Sequence, residues 1–282
     1  MAIRELGASV DTVFAYEGTT PIAKVQVVTR QFGPLNIAWL PRGPVWAGTS
    51  SKDRSNVVRE LPNALDTRAI WVIAPETPED AHYFPHTALM SSQHVAEIDL
   101  KAGPDTLLAA QHGKWRNRLR RAQNADLRVM HRPFKTDRDM PLLIHEATQR
   151  MQRQYKALPP GFIRAWVQAN PKASRLFTIF QGEKALAYLL ILLHKPVATY
   201  HIGWTGADGR RLSAHNLGLW EAMNWLSQKG YERFDLGSVD TQHAAGLARF
   251  KIGSGANVRP LGPTCLHLPR LTRRRRIRHD AA

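Results

Sequence analysis

The residues best suited to chemistry lie in the last third of this chain. Lys251 sits within Gly246-Leu247-Ala248-Arg249-Phe250-Lys251-Ile252-Gly253, an ammonium among apolar neighbours that either meets an anion or stays solvated. Upstream, Phe234-Asp235-Leu236-Gly237-Ser238 ends a strand with a carboxylate and a glycine, so Asp235 either orients an amine or ties down a loop. Between Gly206 and Asn216, the glycines Gly206 and Gly209 precede Arg210, Arg211 and two capping residues, Ser213 and Asn216. Unpaired amides, a helix dipole and guanidiniums at one point suit a pyrophosphate or carboxylate, and an ordinary capped helix after a glycine turn uses the same residues. His215 falls at this point, whereas His201 lies on an apolar strand, as a hydrogen-bonded core histidine would. In the first half, Trp39-Leu40-Pro41-Arg42-Gly43-Pro44-Val45-Trp46 fixes a loop with Gly-Pro and flanks Arg42 with Trp39 and Trp46. Aromatic faces beside a guanidinium suit a nucleotide or a sugar, and a core tryptophan next to a structural turn reads the same way.

Several chemistries are absent from the pattern. No GxxxxGK[ST], GxGxxG, GxSxG or HExxH motif occurs, and the twelve histidines and the lone Cys265 form no metal-ligand spacing. No metal is expected. One cysteine also excludes an intrachain disulfide.

The elements that must hold these residues follow from periodicity. Val13–Tyr16, Ile22–Phe32, Leu35–Leu40, Ala69–Ala74 and Val95–Leu100 read as strands, and the Ser50–Leu65 segment as a helix bent or ended by Pro62. The spacing predicts a helix over Gly113–Ala125, with Trp115, Leu119 and Ala122 on one face and Lys114, Arg116, Arg118, Arg120 and Arg121 around the rest. Such a run is a solvated face or a phosphate contact, because crowded cations repel unless an anion compensates. After Leu127–Met130 and a linker at Arg132–Asp137, helices are expected on Met140, Leu143, Ala147 and Met151, and over Gly161–Ala169. Strands Leu176–Phe180, Ala185–Leu193 and Val197–Gly203 follow, then a helix bearing Leu219, Met223 and Leu226, closed at Gly230. The two halves share a pattern of strands, helix and strands, so domains are expected at 1–133 and 134–269 with a basic, disordered tail at 270–282.

The chain has 282 residues and a net charge of +16, of which the tail carries +5 and Lys101–Lys135 a further +7. That asymmetry favours an acidic partner: a phosphorylated cofactor, RNA or an anionic membrane surface. Ala185–Leu193 is too short to span a bilayer, and Met1–Gly7 leads into no apolar stretch, so a cytoplasmic protein is expected.

At these motifs the sequence resembles the FemAB-like branch of the GNAT acyltransferase superfamily. The resemblance is carried by KWRNRLRRAQNADLRV, by LGLWEAMNWLSQKGYERFDLGSVDT with GLARFKIGSGANVRPLG, and by WLPRGPVW. It runs from about Arg42 to Leu268 and implies an α/β (α+β) fold of two tandem GNAT-like domains with mixed sheets flanked by helices. It implies transfer of an acyl or aminoacyl group to an amine of a peptide or sugar-linked acceptor such as a cell-wall precursor. Acetyl-CoA, another acyl-CoA or an aminoacyl-tRNA would be the co-substrate donor, with no tightly bound cofactor. By the same resemblance Arg42, Trp46, Arg116 and Arg120 would line an anionic substrate, and Lys251 and Asp99, in Glu-Ile-Asp-Leu, would serve catalysis. Gly209, Arg210, Ser213 and Asn216 would hold the donor's phosphates. The pyrophosphate signature Gln/Arg-x-x-Gly-x-Gly/Ala is absent from Arg210–Leu219, and no long helical arm fits between Arg132 and Gly161. A non-catalytic RNA- or anionic-surface-binding protein on the same scaffold is the alternative, motivated by the basic helix and tail.

Overall fold

A computed structural model describes residues 7–48, 50–65, 69–84, 87–153, 158 and 160–268; the arginine-rich tail lies outside them. The chain opens with β1 (Ser9–Glu17), β2 (Thr20–Phe32), β3 (Leu35–Pro41) and β4 (Val45–Trp46), then helix α1 (Ser51–Ala64), β5 (Ile70–Ala74) and β6 (Thr87–Met90). β7 (His94–Asp99), α2 (Gly103–Ala110), α3 (Gly113–Gln123) and β8 (Arg128–Arg132) follow. Next come α4 (Thr136–Arg153), α5 (Pro160–Ala169), β9 (Ser174–Gln181), β10 (Lys184–His194) and β11 (Val197–Thr205). α6 (Ala207–Arg211), α7 (Ala214–Gln228), β12 (Arg233–Ser238), α8 (Ala245–Gly253), β13 (Asn257–Pro260) and β14 (Thr264–His267) complete it.

These elements form two compact units, Gly7–Ser92 joined by the chain from Leu261, and Gln93–Pro260. In the first, the sheet runs β1-β2-β3-β5-β14-β6, with β4 added on β2. Only β3 and β5 are parallel, and they pair without interruption from Ile37↔Ile70 to Pro41↔Ala74. Helix α1, capped by Ser50, presses Val58 and Leu61 onto Trp71, Ile73 and Leu40. The helix continues past Pro62 to Ala64.

In the second unit the sheet order is β13-β7-β12-β11-β10-β9-β8. One face buries Phe177, Ile179, Leu189 and Ile191 under α3 and α7, through Trp115, Leu119, Leu219 and Met223. The other buries Leu176, Tyr188, Leu190 and Ile202 under α4 and α5, through Leu143 and Ile163. A boundary after Pro133 was the expectation; the division instead falls at Ser92/Gln93. The reason is pairing and packing. β7 lies between β12 and β13, and α3 shares its core with α7, so 93–133 cannot belong to the first half. Arg132–Asp137 is likewise no linker, since Phe134 is buried and Arg132 makes paired bonds of 2.5 Å to both carboxylate oxygens of buried Asp139. The short strand β14, unrecognised in the sequence, returns to pair β5 and β6 in the first unit.

Glycine spacing sets how closely these layers approach. A Cβ on Gly209 would lie 2.4 Å from the Leu186 carbonyl oxygen and 2.9 Å from Thr205 Cγ2, whereas one on Gly161 meets nothing within 4 Å. Gly209→Ala is therefore expected to destabilise the fold by about 1–3 kcal/mol, since a backbone carbonyl cannot repack. Gly161→Ala, in a helix, should be neutral or stabilising by up to about 1 kcal/mol. Urea denaturation of the two variants measures both.

Candidate active site

Strands β11 and β12 run parallel but pair only at Val197↔Arg233, Ala198↔Phe234 and Thr199↔Asp235. β11 then continues six residues to Thr205 and β12 three to Ser238 with no pairing between them. The sheet opens here into a wedge in the middle of an otherwise continuous ladder. Two irregularities produce the opening. On β11 the register against β10 slips between Ile191↔Tyr200 and Leu190↔Ile202, so His201 is a bulge residue. On β12, Gly237 takes φ +77° and the register against β7 breaks between Asp235 and Ser238. A residue with a side chain would be strained at that φ, which accounts for the glycine after Asp-Leu.

Lys251 of α8 lies under the β12 lip. It is 6% exposed, and its Nζ donates to the Ser238 carbonyl at 2.7 Å. Burial pulls its pKa down to about 8, opposed by the charge of Asp235. Asp235, also buried, accepts from the Gly237 N–H at 2.7 Å and so holds the bend of the lip. The preceding residue, Phe250, reaches the other lip: its ring lies 5.2 Å from the imidazole of His215 in α7. His215 Nε2 is 3.0 Å from the Tyr200 hydroxyl and its Nδ1 is 2.9 Å from Thr205 Oγ1, both on β11. Consecutive residues of one helix therefore connect to both lips, Lys251 directly and Phe250 through His215. Tyr200 can lie along its strand only because Gly203 has no side chain; a Cβ there would sit 1.8 Å from the tyrosine oxygen.

The other residues expected from sequence are placed as follows. Asp99 pairs across from Arg233, while Ser238 pairs across from Val95, so Asp99 and Lys251 occupy opposite ends of β12, roughly 16 Å apart at strand spacing. Asp99 caps the following turn by accepting from the Lys101 N–H at 3.0 Å. The structure does not bring the two together. Arg116 donates to the carbonyls of Ala109 and Gln111, closing the end of α2, while Arg120 is exposed. Gly209 packs on Leu186, Arg210 donates to the Thr205 carbonyl at 2.5 Å, and Asn216 is buried with its Nδ2 unpartnered. Ser213 makes no side-chain cap and sits at φ +58°. The expected glycine turn is the helix α6, whose Asp208 pairs with Lys184 and Arg211. Cations and amides are thus not gathered at one point there.

In the first unit Arg42 has φ +49° and forms paired bonds of 2.7 and 2.9 Å to Glu76 rather than standing between the tryptophans. Trp46 donates to buried Asp80 at 3.0 Å, and the guanidinium over its ring is that of Arg54, at 5.2 Å. Sequence reasoning passed over Tyr200 and over the cavity of about 290 Å³ lined by His145, Gln149, Trp204, Thr205 and Arg210. The one available signal was Gly203 on an apolar strand, which marks a close approach. Among the described residues no cluster could hold a metal ion, and no helix is long and apolar enough to cross a membrane.

Two histidines of β11 and α7 carry a pH dependence. Burial lowers the pKa of both His201 and His215 to about 4, against about 6.5 in the unfolded chain. The folded state binds fewer protons between these values, so their contribution is complete above pH 6.5 and is lost as pH falls toward 4. Stability should fall by on the order of 1–2 kcal/mol per histidine between pH 6.5 and 5. Denaturation at both pH values, with His201→Phe removing about half of the drop, measures it.

The sequence matches the acetyltransferase (GNAT) domain over residues 111–251, half of the chain. No curated protein matches it. Among solved structures, FemX is similar with a TM-score of 0.79 at 11% identity, covering 95% of this chain and 90% of that one. A tandem GNAT protein from the clavulanic acid biosynthesis pathway has a TM-score of 0.54 at 10% identity, covering 92% and 83%. L-PGS from Bacillus licheniformis has 0.55 at 12%, covering 91% and 83%. These likenesses are of fold, and they agree with two GNAT-like domains, each a mixed sheet flanked by helices. With the open parallel pair β11/β12 inside the matched region, the chain belongs to the GNAT acetyltransferase family, with the fold of its FemAB-like branch.

Proposed function

We propose that the wedge between β11 and β12 transfers an acyl or aminoacyl group from an activated donor to an amine. The observation that carries this reading is the parting of the two parallel strands after Thr199 and Asp235, with the Lys251 ammonium buried beneath one lip. Past Thr199 the β12-facing side of β11 has no strand partner, so an extended donor arm can lie beside it as an added strand does at a sheet edge. When the neutral amine attacks the donor carbonyl, negative charge gathers on its oxygen, and a fixed cation in a dry site stabilises that charge. Lys251 fits the role because the Ser238 carbonyl and Asp235 hold its position and desolvation strengthens its field. The first unit does not offer an equivalent: β3 and β5 stay paired to their ends, and the Arg42 N–H extends the ladder to Ala74 at 2.7 Å.

The donor is acyl-CoA or aminoacyl-tRNA, and the acceptor is an amine on a peptide or a sugar-linked molecule, as in cell-wall precursors. A cytoplasmic setting, with peripheral contact to anionic membrane, suits such substrates. The tRNA choice is favoured by α3, where Lys114, Arg118, Arg120 and Arg121 are exposed with no carboxylate partner among the described residues. In the reading that this face only binds RNA or an anionic surface, affinity falls steeply with salt and survives Lys251→Ala. Arg42 and Trp46 are proposed, from the resemblance alone, as an anion-binding pair within the first unit, with Glu76 yielding its ion pair to an anionic ligand. Gly209, Arg210, Ser213 and Asn216 lie on the donor side.

Incubation of the protein with labelled acetyl-CoA or charged tRNA and a panel of peptide and amino-sugar acceptors tests the reading. Label should appear in amide linkage, and absence of transfer from every donor removes it. Lys251→Met should lower kcat by about 10²–10³ with little change in fold, as loss of an oxyanion partner does. Because the cation is the active form, kcat should decline as pH rises through about 8, and Lys251→Arg should move that decline upward.

A further inference from the structure

We infer that the face of the first unit's sheet turned away from α1 is a docking surface for an anionic lipid bilayer. The inference rests on the membrane contact proposed with the acyl-transfer reading and gives that contact a place in the fold.

The strand registers identify the residues on this face. Val13, Val25, Val27, Ala38 and Leu40 belong to the core under α1, so their neighbours along each strand point the other way. An antiparallel sheet covered on one side normally alternates apolar residues inward with polar residues outward. Here the outward positions carry Phe14 and Tyr16 on β1, Phe32 on β2, Leu35 and Trp39 on β3 and Val45 on β4. Each is between 44% and 64% exposed, and α1 is the one α-helix among the described residues of this unit. Four half-exposed rings and two aliphatic side chains leave on the order of 500 Å² of apolar surface in water, the upper end of what a monomeric protein shows. Exposed apolar residues scattered singly are ordinary; six on one sheet face are an interaction surface.

The charges on the same face select the partner. Lys24 pairs across from Phe14 and from Val45, and Arg30 pairs across from Ile37, so both cations stand among these side chains. The Lys24 ammonium lies 5.5 Å from the centre of the Phe14 ring, and the Arg30 guanidinium 5.0 Å from that of Phe32. No carboxylate shares the face on β1 to β4, since Asp11 and Glu17 alternate onto the other side of β1. Rings beside long cationic side chains match a bilayer interface, where the ring sits among the headgroups and the cation reaches their phosphates. The residues extend from Lys24 to Phe32, roughly 27 Å along β2, which suits a broad surface rather than a pocket-sized ligand. A single-stranded RNA needs free ring faces for its bases, whereas Phe14 and Phe32 each carry a cation over theirs and Leu35 and Val45 have no ring. A second copy, packed face to face, would bring these cations together with no acid to receive them.

Flotation of the full chain with vesicles tests the inference without turnover. Vesicles of phosphatidylcholine and phosphatidylglycerol in equal parts should carry the protein, and pure phosphatidylcholine should carry far less. Phe32→Ser/Trp39→Ser, at two exposed positions, should weaken partition into the mixed vesicles about tenfold to a hundredfold. Lys24→Gln/Arg30→Gln should weaken it about tenfold and leave the weak binding to neutral vesicles unchanged. Lipids brominated on their acyl chains should quench tryptophan emission, and Trp39→Phe should remove most of that quenching. Partition of Phe32→Ser/Trp39→Ser within twofold of the parent overturns the inference, because binding then belongs to charges elsewhere on the chain. Quenching that persists in Trp39→Phe overturns it as well. If the same double variant instead loses single-stranded RNA or a dimer while its partition is unchanged, the face belongs to that partner. Transfer without vesicle binding removes this inference alone, and vesicle binding with no donor used removes the acyl-transfer reading alone.

Discussion

The parting of β11 from β12 is the constraint around which the second unit is organised. A sheet normally satisfies every backbone N–H and C=O through its ladder, and leaving two strands unpaired in mid-sheet forfeits those bonds. The molecule maintains the gap from both sides. A bulge at His201 redirects β11, and a left-handed glycine supported by Asp235 bends β12. Phe250 and Lys251 then hold the lips from below, one through the His215 ring and the other through the Ser238 carbonyl. The costs are visible in a buried ammonium, a buried neutral histidine and a glycine that no side chain can replace.

The two units make an instructive contrast. Both place a helix against a sheet that contains one parallel pair, yet only one pair opens. In the first unit the ladder from Ile37 to Pro41 is complete, and the loop after it is tied down by the ion pair between Arg42 and Glu76. Nearby, Arg54 is held by Asp80 and by the ring of Trp46. This is the chemistry of a surface that presents a shaped loop, whereas the second unit presents a gap lined by polar backbone and a fixed charge.

Much of the fold could be read from the residues themselves. The alternation in β2 and β3, the continuous apolar run of β10, and the apolar face of α3 at Trp115, Leu119 and Ala122 follow from local rules that tertiary context left intact. Short elements could not be read. β14 has only four residues after the Gly262-Pro263 turn, too few to show a period, and its place is decided by β5 and β6 already standing in register. The unit boundary failed for the same reason: β7 looks like any first-half strand until β12 and β13 pair with it.

For the site, the sequence by itself determined the residue types at the wedge. Asp-Leu-Gly and Phe-Lys are legible because they combine a carboxylate, a special backbone conformation and a lysine in apolar company. Which residues meet was decided by tertiary structure alone. Asp99 and Lys251 look equally chemical along the chain, yet a strand places them at opposite ends. Tyr200 and His215 look like ordinary core residues, yet a one-residue bulge brings Tyr200 and Gly203 onto the face of α7 and the two side chains into hydrogen-bond contact. A bulge reverses which face every later residue occupies, and its energy lies in contacts with strands and helices far away in the chain. Residue types are local, but the distances between them are set by packing.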